Sequence, residues 1–265
     1  MITSTSNERI KHVAALQQKT RLRQEERLFA AEGSRLFLEA PESLIEEVYV
    51  TEDFLKNAEG KMREKLAKTG YETVSEQAFA KMSDTKSPQG ILAVLSWRDY
   101  GREELFADKP LLLLLENIQD PGNLGTIFRT AEGAGVTGVV LSPGCADIYQ
   151  PKVVRSTMGS FFRVPFYRSR DLGEEIIFLK NRKVKIYAAY LEGSECYDAV
   201  SYLEECAFLI GNEGSGLTRD TAMAADARIR IPMEGKLESL NAGVSAALLV
   251  YEAARQRRRQ RSQAK

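Results

Sequence analysis

The chain has 265 residues, enough for two domains of ordinary size with a well-buried core. Lysine plus arginine balance aspartate plus glutamate at 37 each, so bulk charge selects no partner, and any attraction to nucleic acid must come from local patches. Three cysteines at unpaired spacings, Cys145, Cys196 and Cys206, fit a reduced compartment and give neither a disulfide framework nor a zinc site. The sole histidine, His12, gives no support to a nucleophilic triad. The amino terminus lacks the apolar core of a signal peptide, and no apolar run approaches the ~20 residues that span a bilayer; the expectation is a soluble, cytoplasmic protein.

Between Arg9 and Arg27 the cations Arg9, Lys11, Lys19, Arg21, Arg23 and Arg27 outnumber the acids Glu8, Glu25 and Glu26, with Ile10, Val13 and Leu16 at helical spacing. Such a helix could bury its apolar stripe and turn Arg9, Lys11, Arg21 and Arg23 to an RNA backbone; a merely solvated face is the alternative. Residues 29–40 read as a strand end and a helix, Ile45–Val50 as a strand, 52–68 as a helix, with strands near Tyr71–Val74 and at Ile91–Leu95. That alternation makes a small α/β domain over 1–97. Ser83–Gly90 is an exposed polar loop, and the charged stretch 98–110 is the expected linker.

The stretch Leu111–Arg129 follows. Five consecutive leucines, Leu111–Leu115, have no polar alternation and mark a strand buried on both faces. Asp120, Pro121 and Gly122 break the chain, and Asn123 is a good N-cap for a helix burying Leu124, Ile127 and Phe128. Asn117, Asn123 and Arg129 then stand near the carboxyl end of a sheet, where open α/β folds bind ligands. An ordinary strand-turn-helix with Arg129 on a solvated face is the alternative.

Gly138–Ser142 is a second buried strand. Gly133, Gly135 and Gly138 match a dinucleotide-binding pattern literally, but they close a helix and lead into a strand, the reverse of what that pattern requires. Gly133 and Gly135 are therefore assigned to helix termination. Pro151 suits the first turn of a helix carrying Lys152 and Arg155, which with Arg163 make a second candidate basic patch, scattered surface cations being the alternative; Gly159 ends the helix and Phe161–Phe166 makes a strand. A helix over 171–181 and a strand at Val184–Ala189 follow.

Ala207–Ile210 is another apolar strand, and it runs into Gly211, Asn212, Glu213, Gly214, Ser215 and Gly216. Three glycines in six residues let a backbone approach a ligand closely and leave amides free to bind it. After a short strand at Arg228–Met233 comes a polar loop with Glu238, Ser239 and Asn241, then a small-residue helix over Ala242–Ala254 in which Gly243, Ala246 and Ala247 allow close packing. The basic tail from Arg255 to Lys265 reads as frayed.

Three blocks stand in order: Asn117…Asp120-Pro-Gly-Asn123…Arg129, Ile210-Gly-Asn-Glu213-Gly-Ser-Gly-Leu217, and Ile231-Pro-Met…Ser239-Leu-Asn241-Ala-Gly-Val-Ser. Together they resemble the SpoU (TrmH-like) family of RNA ribose 2′-O-methyltransferases of the SPOUT superfamily, strongly over residues 111–256 and without departure in the blocks. More weakly, residues 1–95 resemble the small substrate-binding domain of ribosomal-RNA members.

The resemblance implies an α/β catalytic domain over 111–265, with a parallel sheet and a trefoil knot, working as a homodimer on RNA, most readily ribosomal RNA. It implies S-adenosylmethionine held at Gly211, Ile231 and Leu240, with Ile210, Asn212 and Pro232 beside them. Arg129, Asn123, Glu213, Ser239 and Asn241 fall on the family's catalytic and near-catalytic positions. No metal is required, because a sulfonium leaving group is already activated. A guanidinium with pKa above ~12 is a poor literal base, so the expected role of Arg129 is to anchor a phosphate and stabilise alkoxide charge. A non-catalytic RNA-binding or ribosome-assembly factor, a transfer-RNA 2′-O-methyltransferase and a base methyltransferase are the competing readings.

Overall fold

The computed structural model describes residues 1–192 and 195–263, so Lys265 of the basic tail lies outside the described residues. Two compact units form: Met1–Arg98 with Asp147–Phe162, and Asp99–Ala146 with the chain from Arg163 onward. Both are mixed α/β, as the alternation of patterns requires.

The first unit begins with α1 (Glu8–Gln18), α2 (Thr20–Glu26), β1 (Leu28–Glu32) and α3 (Ser34–Glu39). It continues through β2 (Ile45–Thr51), α4 (Glu52–Asn57), α5 (Gly60–Thr69), β3 (Glu72–Val74), α6 (Glu76–Met82) and β4 (Ile91–Ser96). The strands order β1-β4-β2-β3, with β4 antiparallel to both neighbours. Ile10, Val13 and Leu16 are fully buried, so the apolar stripe read at helical spacing is the face α1 gives to the core. Two expected helices divide. Lys19 takes extended angles between α1 and α2, and Ala58 turns extended between α4 and α5, burying its methyl group.

The second unit starts at β5 (Leu111–Leu115), α7 (Pro121–Ala134) and β6 (Gly138–Leu141). The chain then contributes α8 (Pro151–Ser156) to the first unit before resuming with β7 (Phe166–Arg168), α9 (Leu172–Asn181), β8 (Lys185–Ala189) and β9 (Glu195–Cys196). It finishes through β10 (Cys206–Ile210), α10 (Arg219–Ala224), β11 (Ala227–Arg230) and α11 (Ala242–Gln263). Seven strands, all parallel, order β7-β6-β5-β10-β8-β11-β9. β10 therefore enters between β5 and β8, and the direction of winding reverses at the β5/β10 seam. Every leucine of β5 is buried, as a central parallel strand covered on both faces demands.

The excursion over Asp147–Phe162 replaces the strand expected at Phe161–Phe166. Tyr149 stacks on Trp97 at 4.2 Å with planes 7° apart, and Phe161 meets Phe29 edge-on at 5.5 Å, so aromatic burial in the first unit takes these residues out of the sheet. Only Phe166–Arg168 remains as strand. Residues 99–110 also depart from the expected linker: they belong to the second unit and carry a short 3-10 helix, Arg102–Leu105, whose Leu105 is buried. Over its described residues the tail is helical. α11 runs to Gln263 because Arg257 donates to the carbonyls of Tyr202 (3.0 Å), Lys109 (2.9 Å), Pro110 (3.1 Å) and Glu204 (2.6 Å). Among the described residues no helix is long and apolar enough to cross a membrane.

Candidate active site

The carboxyl ends of β5 and β10 lie side by side, and the loops that leave them are joined by short polar side chains. Asn117, at φ +56°, donates its amide to Ser142 Oγ (2.9 Å), and its carbonyl accepts from Asn212 Nδ2 (2.8 Å). Asn123 is not the N-cap. Asp120 caps α7, its carboxylate accepting from the Asn123 amide at 2.8 Å, and Pro121 occupies the first turn, where a missing N–H costs nothing. The residues read as a chain break thus start the helix, and the side chain of Asn123 is released for another task.

That task is a relay. Asn241 precedes α11 and accepts on Oδ1 from the amides of Gly243 (2.9 Å) and Val244 (3.3 Å), which leaves its Nδ2 to donate to Asn123 Oδ1 at 2.8 Å. Asn123 Nδ2 in turn donates to Glu213 Oε1 at 2.9 Å. Each amide orientation is fixed by its neighbour, so three loops distant in sequence are locked by two side-chain bonds. Glu213 also accepts from the amides of Asp120 (3.2 Å) and Gln119 (3.3 Å). Partial burial pushes its pKa up, but the bonds from Asn123 and from backbone amides outweigh that and hold it below its ordinary value. Glu213 is a charged acceptor at neutral pH.

The loop after β10 is closed by a backbone pair, Asn212 with Gly216 (3.1 and 2.9 Å), and by Asn212 Oδ1 accepting from the amides of Gly214 (2.9 Å) and Ser215 (3.1 Å). Gly211 makes this closure feasible. A Cβ there would lie 2.1 Å from the Leu217 nitrogen and 2.2 Å from the Gly216 carbonyl carbon. Beyond the loop opens a pocket of ≈ 260 Å³ lined by Gly216, Leu217, Ile231, Met233, Ser239 and Leu240, with Tyr190 from the end of β8. Ile231, Leu240 and Ser239 therefore meet where expected. Gly211 and Asn212 shape the loop without lining the pocket, Pro232 is exposed outside it, and Ile210 is buried at the end of β10. Sequence reasoning missed Tyr190 and Met233; the available signal was that β8 ends beside β10 in a parallel sheet, which needs the strand order.

Arg129 is exposed on α7 and has no hydrogen-bond or ion-pair partner among the described residues. It lies about 9 Å along the helix axis from Asn123 and is not part of the relay. Gly135, at φ +76°, closes α7 as read, whereas Gly133 lies inside the helix, where Tyr251 Oη would sit 2.7 Å from an added Cβ. Gly243 faces Thr126 of α7 less closely, at 3.2 Å for an added Cβ, still a tight approach that suits the small residues opening α11.

The expected basic contacts divide sharply. Arg23 is 2% exposed and holds Asp147 Oδ2 through two nitrogens (3.0 and 2.7 Å) and the Leu16 carbonyl (2.6 Å); it is a structural strut, not an RNA ligand. Arg9 is tied to Tyr49, Glu47 and Glu72, and Arg21 to Glu25. Arg155 pairs with Asp84 at 2.9 Å, while the side chains of Lys11 and Lys152 are exposed and make no hydrogen bond or ion pair among the described residues.

Residues 110–251 match the family model of the SpoU rRNA methylase family. The chain belongs to the SpoU family. Residues 7–93 match the MRM3-like substrate binding domain. This SpoU chain is 36% identical to the 23S rRNA (guanosine(2553)-2′-O)-methyltransferase RlmP of Bacillus subtilis (strain 168), over 94% of this chain and 97% of the relative. Its fold superposes on an AdoMet-bound rRNA methyltransferase from Sinorhizobium meliloti with a TM-score of 0.85 at 29% identity, covering 96% of this chain and 97% of that one. A crystal structure described as an RNA 2′-O ribose methyltransferase gives 0.82 at 31% identity, covering 97% and 98%.

Proposed function

We propose that this protein transfers a methyl group from S-adenosylmethionine to a ribose 2′-hydroxyl of ribosomal RNA, as a cytoplasmic homodimer. The observation that carries the reading is the Asn241–Asn123–Glu213 relay, whose outer members flank the pocket loops: Glu213 lies two residues before Ser215, and Asn241 directly follows Leu240. The pocket fits the donor. Its walls mix apolar side chains with loop backbone, and the close approach that Gly211 permits keeps a Cβ from forcing the Gly216–Leu217 backbone out of place. Ile231, Leu240 and Ser239 would hold S-adenosylmethionine there. When bound it supplies a methyl group on a positively charged sulfur, which leaves as a neutral thioether. The trefoil knot that the family resemblance implies belongs to the same reading.

Glu213 keeps its charge and its hydrogen bonds, so it orients Asn123 rather than accepting the hydroxyl proton. Arg129 has its guanidinium donors available; it anchors the RNA phosphate and stabilises charge developing on the ribose oxygen, while the proton leaves to water. RNA rather than DNA follows from the 2′-hydroxyl itself. Support for the dimer is the outer face of α11, where Val244 and Tyr251 are each 46% exposed beside Leu248.

The test is incubation with labelled S-adenosylmethionine and total RNA, followed by nuclease digestion. Label on ribose of ribosomal RNA is expected. Label on a base, or RNA that binds and never acquires label, would overturn the reading. Arg129→Lys should lower kcat roughly 100-fold or more, the cost of losing a positioned charge-stabilising donor. Near-normal turnover would exclude the planar two-pronged role.

A further inference from the structure

The first unit carries a group of available cations outside the helix pair that sequence pattern favours, where only lysines such as Lys11 are open. The loop Ser83–Gly90 between α6 and β4 is held rigid: Glu32, only 6% exposed, accepts from Ser83 Oγ and Thr85 Oγ1, each at 2.8 Å. Gln89 Oε1 accepts from the Ser34 amide at 3.0 Å, which ties the loop to the start of α3. Asp84 takes Arg155 at 2.9 Å, which ties it to α8. Three cations stand on these joined elements: Arg35 next to Ser34, Lys86 two residues beyond Asp84, and Lys152 one turn before Arg155 on the same face of α8. All three are exposed and have no hydrogen-bond or ion-pair partner among the described residues. The neighbouring acids are engaged: Asp84 by Arg155, Glu32 by two hydroxyls, and Glu39 by contacts of its own.

We propose that Arg35, Lys86 and Lys152 form the surface by which the first unit grips the phosphates of substrate RNA, a proposal that rests on the RNA-methylation reading above. Three point cations with no competing anion, carried on a loop already ordered by a buried carboxylate, suit a phosphate backbone: each neutralised phosphate releases a counterion, and little loop entropy is lost on binding. On α1 and α2 Lys11 is open, but the arginines are not. Arg9 and Arg21 are held by carboxylates and Arg23 is interior, so an RNA strand would have to break ion pairs to use them.

The experiment uses the full chain and an unmodified transcript of large-subunit ribosomal RNA. Binding is measured across a salt series for the natural protein, for the triple variant Arg35→Gln, Lys86→Gln, Lys152→Gln, and for the control Arg9→Gln, Arg21→Gln. The triple variant should lose roughly 2 to 3 from the magnitude of the slope of log K against log salt. Its KM for RNA should rise about tenfold, with kcat, S-adenosylmethionine affinity and melting temperature unmoved. The control should change the slope by less than half as much. An unchanged slope in the triple variant, or an equal loss in the control, overturns the proposal. A natural protein that binds through this surface yet never labels RNA would sink the methylation reading and leave the surface standing; labelling that persists with the slope unchanged would do the reverse.

Discussion

Two carboxylates stand after neighbouring parallel strands, Glu116 directly behind β5 and Glu213 three residues behind β10, and they illustrate two uses of one chemistry. Glu116 is 7% exposed and accepts from the Thr218 amide (2.7 Å), Thr218 Oγ1 (2.9 Å) and Thr221 Oγ1 (2.5 Å), all from the first turn of α10. Its partners come from one short segment, and the result is a helix pinned to the sheet. Glu213 is more open, and it too accepts from one segment, the Asn123 amide group and two backbone amides ahead of α7; the difference is that Asn123 is held in turn by Asn241 of a third segment. A carboxylate satisfied by one helix start builds a joint, whereas one whose partner is itself held by a third segment fixes the geometry of a cleft. Exposure and the third segment behind Asn123 separate the two.

Asn123→Ala removes the centre of the relay and should lower kcat about 100-fold, since a misplacement near 1 Å is enough for that, with a melting temperature close to that of the natural protein. A loss of stability without loss of turnover would make the relay a joint like Glu116. Arg23→Ala breaks a buried ion pair and should destabilise the protein by about 3–5 kcal/mol in denaturant titration. Arg21→Ala, on an exposed pair, should stay within about 0.5 kcal/mol, and equal effects would refute the division between strut and surface. Glu116→Ala should cost about 1–3 kcal/mol through the hydroxyls and amide it leaves unpaired, while the surviving folded enzyme turns over normally.

The smallest effect is in pH. Because the folded-state pKa of Glu213 lies below its ordinary value of 4.5, its contribution to stability is fully present above that value and is lost only as pH falls further. Stability of the natural protein and of Glu213→Gln should therefore differ by a constant amount from pH 6 to 8 and converge in acid; divergence at rising pH would contradict the sign.

The elements around the site were legible because their signals are local. Five leucines between polar residues can only be a covered strand, and glycine at positions 211, 214 and 216 announces a tight loop. What escaped was every feature decided by a partner far along the chain. Asn123 and Asp120 are both good caps by type, and proline at the first turn favours Asp120, but only the presence of Glu213 and Asn241 shows why the Asn123 side chain is kept free. Arg23 sits in a basic run and looks solvated until Asp147 is brought against it. Tyr190 follows a strand whose place beside β10 no periodicity reveals.

By itself, then, the sequence determined an α/β chain with buried parallel strands, a glycine loop after one of them, and three ordered blocks similar to a methyltransferase family. The tertiary structure alone decided that residues 147–162 return to the first unit, that β10 enters between β5 and β8, and which cations face solvent. The physical reason is range: backbone dihedrals and side-chain periodicity act over a few residues, whereas hydrogen bonds and ion pairs between loops about a hundred residues apart exist only once the core has closed.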